Sequence, residues 1–207
     1  IFRALRTIPV MKAYADIMEE VCPDVLFLNY TNPMAQLAGY LGRYTPIKSV
    51  GLCHSVQGCS RNLLKDLGIE YKEPLRESIA GINHMGWLLE LEDADGNDLY
   101  PEIRERAIAI LESGKTDHHD LVRYEYIRRL GYYCTESSEH NAEYNNFFIK
   151  AKYPELIERY NIPLDEYPRR CINQIENWKK DREKYMHDDV THTRTTEYAS
   201  YIMEAIV

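Results

Sequence analysis

Four short segments concentrate the side chains that could do chemistry. GLCHS (51–55) sets Cys53 and His54 side by side, directly after an apolar run. A cysteine where a strand gives way to a helix start can have a lowered pKa and ligate metal as thiolate. A free cysteine is also often simply buried. His54 could be a ligand, an acid–base group or a helix-start residue. GINHMGW (81–87) places His84 beside Asn83 and between two glycines, which admit close approach of backbone or ligand. Neutral imidazole suits a first-row divalent metal, although a lone histidine in an apolar strand is more often a hydrogen-bonded core residue. One Cys and one His fall short of the four protein ligands of a structural zinc site. Together they would leave an open coordination sphere, as a catalytic centre requires.

YTNPM (30–34) puts Asn32 after a second apolar run. Asparagine can offer donor and acceptor to a sugar or nucleotide hydroxyl, and it also caps helices well. CTESSEHNAEY (134–144) packs two Ser, three Glu, His140 and a Tyr into eleven residues. Such polar density could line a site or form a solvated loop that caps a helix.

These segments need elements to position them. Residues 2–20 carry Leu5, Ile8, Met11, Ala15 and Met18 at helical spacing. VLFLNY (25–30) and IKSVGL (47–52) have the length and β-rich composition of buried strands. Helices are expected from Pro33 to about 41 and over roughly 55–67. Alternating helix and strand predicts an α/β fold with a parallel sheet, and such sheets bind ligands beyond the carboxyl ends of their strands. Asn32 and Cys53 both lie just there. IAGINHMGWLLELED (79–93) reads as one or two longer strands, with a turn at Asp95-Gly96-Asn97. The chain then becomes helical and charged to about 129, with a long polar helix over 165–187 and another from about 195. A boundary falls near residue 75, dividing 1–75, an α/β part, from 76–207, an α+β part.

Composition excludes several classes. The formal net charge is −8 and no basic stripe appears, which argues against nucleic acid as a partner. No apolar run approaches bilayer length, and the first residues lack a signal-peptide pattern. The five cysteines are odd in number and form no CxxC, so reduced thiols and a cytoplasmic location are expected. Most of the 17 tyrosines fit packing at the core edge, ring buried and hydroxyl wet.

Taken together, IFRALRTIP (1–9), LNYTNPMAQL (28–37), VGLCHSVQG (50–58), AGINHMGWLLEL (80–91) and GYYCTESSEHNAEY (131–144) resemble glycoside hydrolase family 4, and within it the α-galactosidase-type members. The resemblance spans almost the whole chain. It implies a partial Rossmann-like sheet of the lactate/malate dehydrogenase kind, completing a dinucleotide-binding domain, then an α+β catalytic and substrate domain. It also implies the family's exceptional chemistry, which needs NAD rather than a carboxylate pair. Hydride passes from C3 of the sugar to NAD, the C2 proton becomes acidic, a tyrosine base removes it and the aglycone is eliminated. Manganese, or another divalent metal, polarises the C2 and C3 oxygens.

By resemblance, Cys53 and His84 match the metal ligands. Asn32 matches a residue contacting substrate and cofactor. His54 stands where phosphoglycosidase members carry an acid-assisting aspartate, and His140 near a phosphate-binding arginine, so an unphosphorylated glycoside is implied. The base is assigned first to Tyr124 by its distance from His84, with Tyr132 and Tyr126 as alternatives. A homo-oligomer, dimer or tetramer, is implied too. The family's Gly-rich phosphate loop is not found in these residues, so the segment by itself is expected to be inactive. Rival readings are another family 4 specificity (α-glucosidase, α-glucuronidase or α-galacturonidase), a metal-independent 2-hydroxy acid dehydrogenase, and a helical interaction module built on the charged region 100–190.

Overall fold

The computed structural model describes residues 1–187 except 54, 57 and 83. His54 and the helix expected from about 195 therefore lie outside the described residues. Two compact units divide the chain, Ile1–Ile162 and Pro163–Val207.

The first unit opens with helix α1 (Phe2–Val21), then strand β1 (Leu26–Asn29), helix α2 (Met34–Tyr44) and strand β2 (Lys48–Gly51). β1 and β2 pair in parallel, Leu26 opposite Lys48 through Asn29 opposite Gly51. Met11 and Ala15 of α1 pack on Leu37 and Leu41 of α2, with Ile47 beneath. Leu5, expected on that face, is 62% exposed. It lies nearly two turns before Met11, where the buried stripe is carried by Ala4 instead.

Helix α3 (Cys59–Leu67) begins four residues later than the spacing predicts. Ser55, Val56 and Gly58 are turns. It ends at Gly68, whose φ of 65° supplies the left-handed cap.

The sheet type then changes. Strands β3 (Arg76–Ile82) and β4 (Met85–Glu92) form an antiparallel hairpin, and the short β5 (Tyr133–Cys134) pairs with β4 on its other edge. Asp93 organises the exit turn by accepting from the backbone N–H groups of Asp95 and Asn97. Helices α4 (Tyr100–Glu112) and α5 (Leu121–Leu130) follow, then α6 (Ser138–Tyr144) and α7 (Glu155–Arg159). Pro101 at the start of α4 loses only an N–H that a helix start leaves without an intrahelical partner.

The main core joins Leu63, Leu64 and Leu67 of α3 to Leu88 and Leu91 of β4, Ile103 and Ala107 of α4, Ile127 of α5 and Tyr133 of β5. The helix that ends the parallel part thus packs directly on the antiparallel part. A second cluster gathers Val122, Tyr126, Cys134, Ala142, Phe148 and Tyr160, with Trp87 against it. In the second unit, α8 (Glu166–His187) carries an i,i+4 ion pair between Arg170 and Glu166.

Candidate metal centre

Cys53 is delivered by the parallel sheet. Asn29 and Gly51 are register partners at the carboxyl ends of β1 and β2. The amide of Leu52 continues the ladder by donating to the Asn29 carbonyl at 2.9 Å. Gly51 is needed for packing, since a Cβ there would lie 2.2 Å from Met34 Sδ and 3.1 Å from Ala38 Cβ. The NPM and VGLC segments therefore interlock. Cys53, half-buried, turns out beyond this edge, its Sγ 3.2 Å from Ser55 Oγ.

His84 comes from the other sheet. It lies in the connection between Ile82 and Met85, the last register pair of the β3–β4 hairpin. Two facing glycines shape that tip. Gly81 has φ 134°, and a Cβ on it would sit 2.5 Å from the Met85 carbonyl oxygen, a conformation and a contact that L side chains resist. Gly86, its register partner, leaves room on its other side for Thr135, whose Oγ1 would be 3.0 Å from an added Cβ.

Thr135 brings in a third group. Its amide donates to the Gly86 carbonyl at 3.0 Å, extending the β4–β5 pairing that sets Trp87 opposite Cys134. The next residue, Glu136, is thereby carried alongside the hairpin tip. One Glu136 oxygen, Oε2, is hydrogen-bonded to His84 Nδ1, and the other, Oε1, accepts from the Ser137 amide at 2.9 Å. Ser137 caps α6 by accepting from the His140 amide. Asn141, fully buried, donates to the Glu136 and Ser137 carbonyls at 2.8 and 3.1 Å.

The result is a cluster in which single donor atoms of Cys53, His84 and Glu136 all lie within 4.8 Å of one another. Burial pushes the Glu136 carboxyl up, but the Ser137 amide and the neighbouring His84 and His140 hold it below the ordinary carboxylate value. Two rings flank the centre. His140 stands 6.0 Å and Tyr144 5.9 Å from the His84 ring, centroid to centroid. A cysteine sulfur and an imidazole converge from two chain segments beside a carboxylate from a third, an arrangement that can hold a divalent cation and leave coordination positions open.

Of the residues singled out in the sequence, Cys53, His84 and His140 meet here. Asn32 lies exposed just past β1, its Oδ1 accepting from the Met34 amide at 3.3 Å. Tyr124 is placed elsewhere. It is fully buried in the main core, its ring lies 5.1 Å from that of His118, and its hydroxyl has no hydrogen-bond partner among the described residues. Burial raises its pKa strongly, with Asp120 and Asp66 adding to the effect. The reason is helical phase: α5 turns Tyr124 and Ile127 inward together. Tyr132 packs edge-on against Tyr100, and Tyr126 is buried against Trp87 and Phe148.

Sequence reasoning missed Glu136 as a partner of His84 and Tyr144 as the ring facing it. Both lie inside the polar segment 134–144, and the signal was the run TESSEH beside a short strand, where a backbone ladder fixes the reach of a side chain.

The fold and the site define a chain in which a Rossmann-like parallel element meets an antiparallel hairpin across a Cys–His–Glu centre. The family 4 glycosyl hydrolase model matches residues 1–69, and that of the family 4 glycosyl hydrolase C-terminal domain matches residues 79–207. The chain belongs to this family. It is 59% identical over 207 residues to an alpha-galactosidase of Bacillus subtilis (strain 168), covering all of this chain and 47% of that protein. The lplD protein of Bacillus subtilis shares the fold at a TM-score of 0.76 and 23% identity, over 98% of this chain and 50% of that one. A 6-phospho-alpha-glucosidase from gut microorganisms, solved in complex with NAD and Mn2+, does so at 0.62 and 20%, over 98% and 48%. The chain spans about half the length of these relatives. No helix among the described residues is long and apolar enough to cross a membrane.

Proposed function

We propose that the protein containing this chain is an NAD- and manganese-dependent glycosidase that cleaves α-galactosides. The observation that carries this reading is the convergence of Cys53 and His84 from two different sheets, with Glu136 locked behind His84. The 59% identity to an alpha-galactosidase supports the sugar, and the relative solved with NAD and Mn2+ supports the cofactors. The donor set fits a first-row divalent ion: one thiolate and one imidazole supply two protein donors, and oxygens of substrate and water would supply the rest.

Cys53 and His84 would hold the metal, which would supply Lewis-acid polarisation of the sugar's C2 and C3 oxygens, and NAD would supply the hydride acceptor for C3. Tyr144 is the tyrosine we assign to C2 deprotonation, in place of Tyr124, Tyr132 or Tyr126, because its ring borders His84 and His140. His140 faces the sugar, His54 donates a proton to the departing aglycone, and Asn32, past β1, contacts substrate and cofactor hydroxyls. Residues 1–75 complete the dinucleotide-binding domain and 76–207 form the catalytic and substrate domain, a division that the two family matches and the change of sheet type support. Cys22, Cys53, Cys59, Cys134 and Cys171 form no disulfide among the described residues, which supports a reducing, cytoplasmic setting. We also expect a homo-oligomer.

The test is turnover of an aryl α-galactoside by the full-length protein with Mn2+, NAD and a thiol reductant. Cys53→Ser is expected to abolish most of it, and undiminished turnover would reject the assignment. Higher kcat/KM on the matching α-glucoside, α-glucuronide or α-galacturonide would transfer the activity to that sugar. Turnover of a 2-hydroxy acid after complete chelation would replace the reading altogether.

A further inference from the structure

We infer that Glu136 is a positioning residue and not a metal ligand: it holds His84 as the tautomer protonated on Nδ1, so that Nε2 is the nitrogen offered to the cation. The inference rests on the metal reading of Cys53 and His84 above.

Three observations carry it. Both carboxylate oxygens are already engaged, Oε2 with His84 Nδ1 and Oε1 with the Ser137 amide at 2.9 Å. Each oxygen keeps a second lone pair, but turning either toward a cation would break a hydrogen bond in a half-buried setting, where an unmade bond is costly. Next, the backbone bearing Glu136 is fixed. The buried Asn141 holds its carbonyl at 2.8 Å, and the Ser137 cap begins α6 at the following residue. Finally, the approach of this segment to the hairpin is set by Thr135 against the bare Cα of Gly86. Position and partner are thus determined by backbone geometry before any cation binds.

The chemistry follows from the imidazole. A free histidine side chain favours the proton on Nε2, which would block the nitrogen facing outward from Glu136. A carboxylate on Nδ1 reverses that preference and fixes the ring plane. Glutamine cannot replace it fully. Its single carbonyl oxygen must serve either His84 Nδ1–H or the Ser137 N–H, where the carboxylate serves both at once.

The test uses the full-length protein and two readouts. Co2+ affinity is measured by calorimetry, with the thiolate-to-cobalt charge-transfer band reporting Cys53. The tautomer of His84 is read in the metal-free protein from 15N shifts after selective histidine labelling. Glu136→Ala is expected to weaken Co2+ binding about 10–100-fold, to leave the cobalt coordination number unchanged, and to move the His84 proton to Nε2. Glu136→Gln, close to isosteric, is expected to move both readouts the same way by less. A cobalt spectrum reporting a lost protein ligand in Glu136→Ala would make Glu136 a ligand and overturn the inference. An unchanged tautomer, or affinity within twofold of the parent in both variants, would overturn it as well. Absence of a charge-transfer band in the parent protein would instead defeat the metal reading and take the inference with it, whereas a wrong tautomer with a normal band defeats the inference alone.

Discussion

At the scale of single residues, two glycines and two thiols have consequences that can be measured. Gly81 combines φ 134° with backbone atoms where a Cβ would go, and backbone cannot step aside as a side chain can. Gly81→Ala is expected to lower unfolding free energy by about 2–4 kcal/mol, read by urea titration of the full-length protein. Gly51→Ala should cost less, because the nearest atom is the flexible end of Met34, although Ala38 Cβ at 3.1 Å keeps the cost above zero. Cys59 and Cys134 are buried, and burial pushes both thiols up to about 12 from an ordinary 9.0. Above pH 9 the unfolded chain therefore binds fewer protons than the native one, and stability falls as pH rises, by ~1.4 kcal/mol per pH unit for each thiol until the native value is reached. Replacing both thiols by alanine should flatten the slope of stability against pH between 9 and 10. In the native protein at pH 8, iodoacetamide should label exposed Cys22 and spare Cys59 and Cys134 until urea is added.

At the scale of elements, the site depends on α5 being pinned to the β5–α6 segment. Asp120, fully buried, accepts from Tyr133 Oη at 2.7 Å and Ser138 Oγ at 2.8 Å and pairs with Arg123. The Arg123 guanidinium in turn lies 4.3 Å from the centre of the Tyr133 ring. One carboxylate thus ties a helix, a strand and the helix start beside Glu136. Removing it leaves a largely buried arginine without its counter-charge, so Asp120→Ala should destabilise by about 3–5 kcal/mol. Asp120→Asn should cost less, since it keeps the volume and one acceptor. Thermal melts of the two variants order them; both lack the charge, so equal melting temperatures would show that the volume and acceptor kept by asparagine contribute nothing and that the cost is the lost charge.

At the scale of the molecule, ligation should couple the two sheets. A cation held by Cys53 and His84 would bridge the carboxyl edge of β1–β2 and the tip of β3–β4, and would therefore bind the folded chain more tightly than the unfolded one. With Mn2+ at a hundred times its Kd, stability should rise by about 2.7 kcal/mol. In Cys53→Ser the same Mn2+ concentration should leave the melting temperature in place. An equal rise in both proteins would locate the stabilising ion elsewhere.

Much of this was legible in residue order. The alternation of helix and strand over 1–67 specified a parallel pair, although the two strands expected to be buried are mostly half-buried. The family's motifs named Cys53 and His84 before any geometry. What the chain order could not supply was phase and distance. Tyr124 and Tyr144 are both tyrosines after the hairpin, and only helix phase and packing put the first in the core and the second beside His84. Glu136 is one of three glutamates in its segment. Its pairing with His84, 52 residues away in the chain, depends on a strand register and a missing Cβ at Gly86. Residue types fixed which chemistry was available, because ligand atoms belong to side chains. Tertiary structure decided which of them meet, because hydrogen-bond ladders and close packing, not sequence spacing, set the final few ångströms.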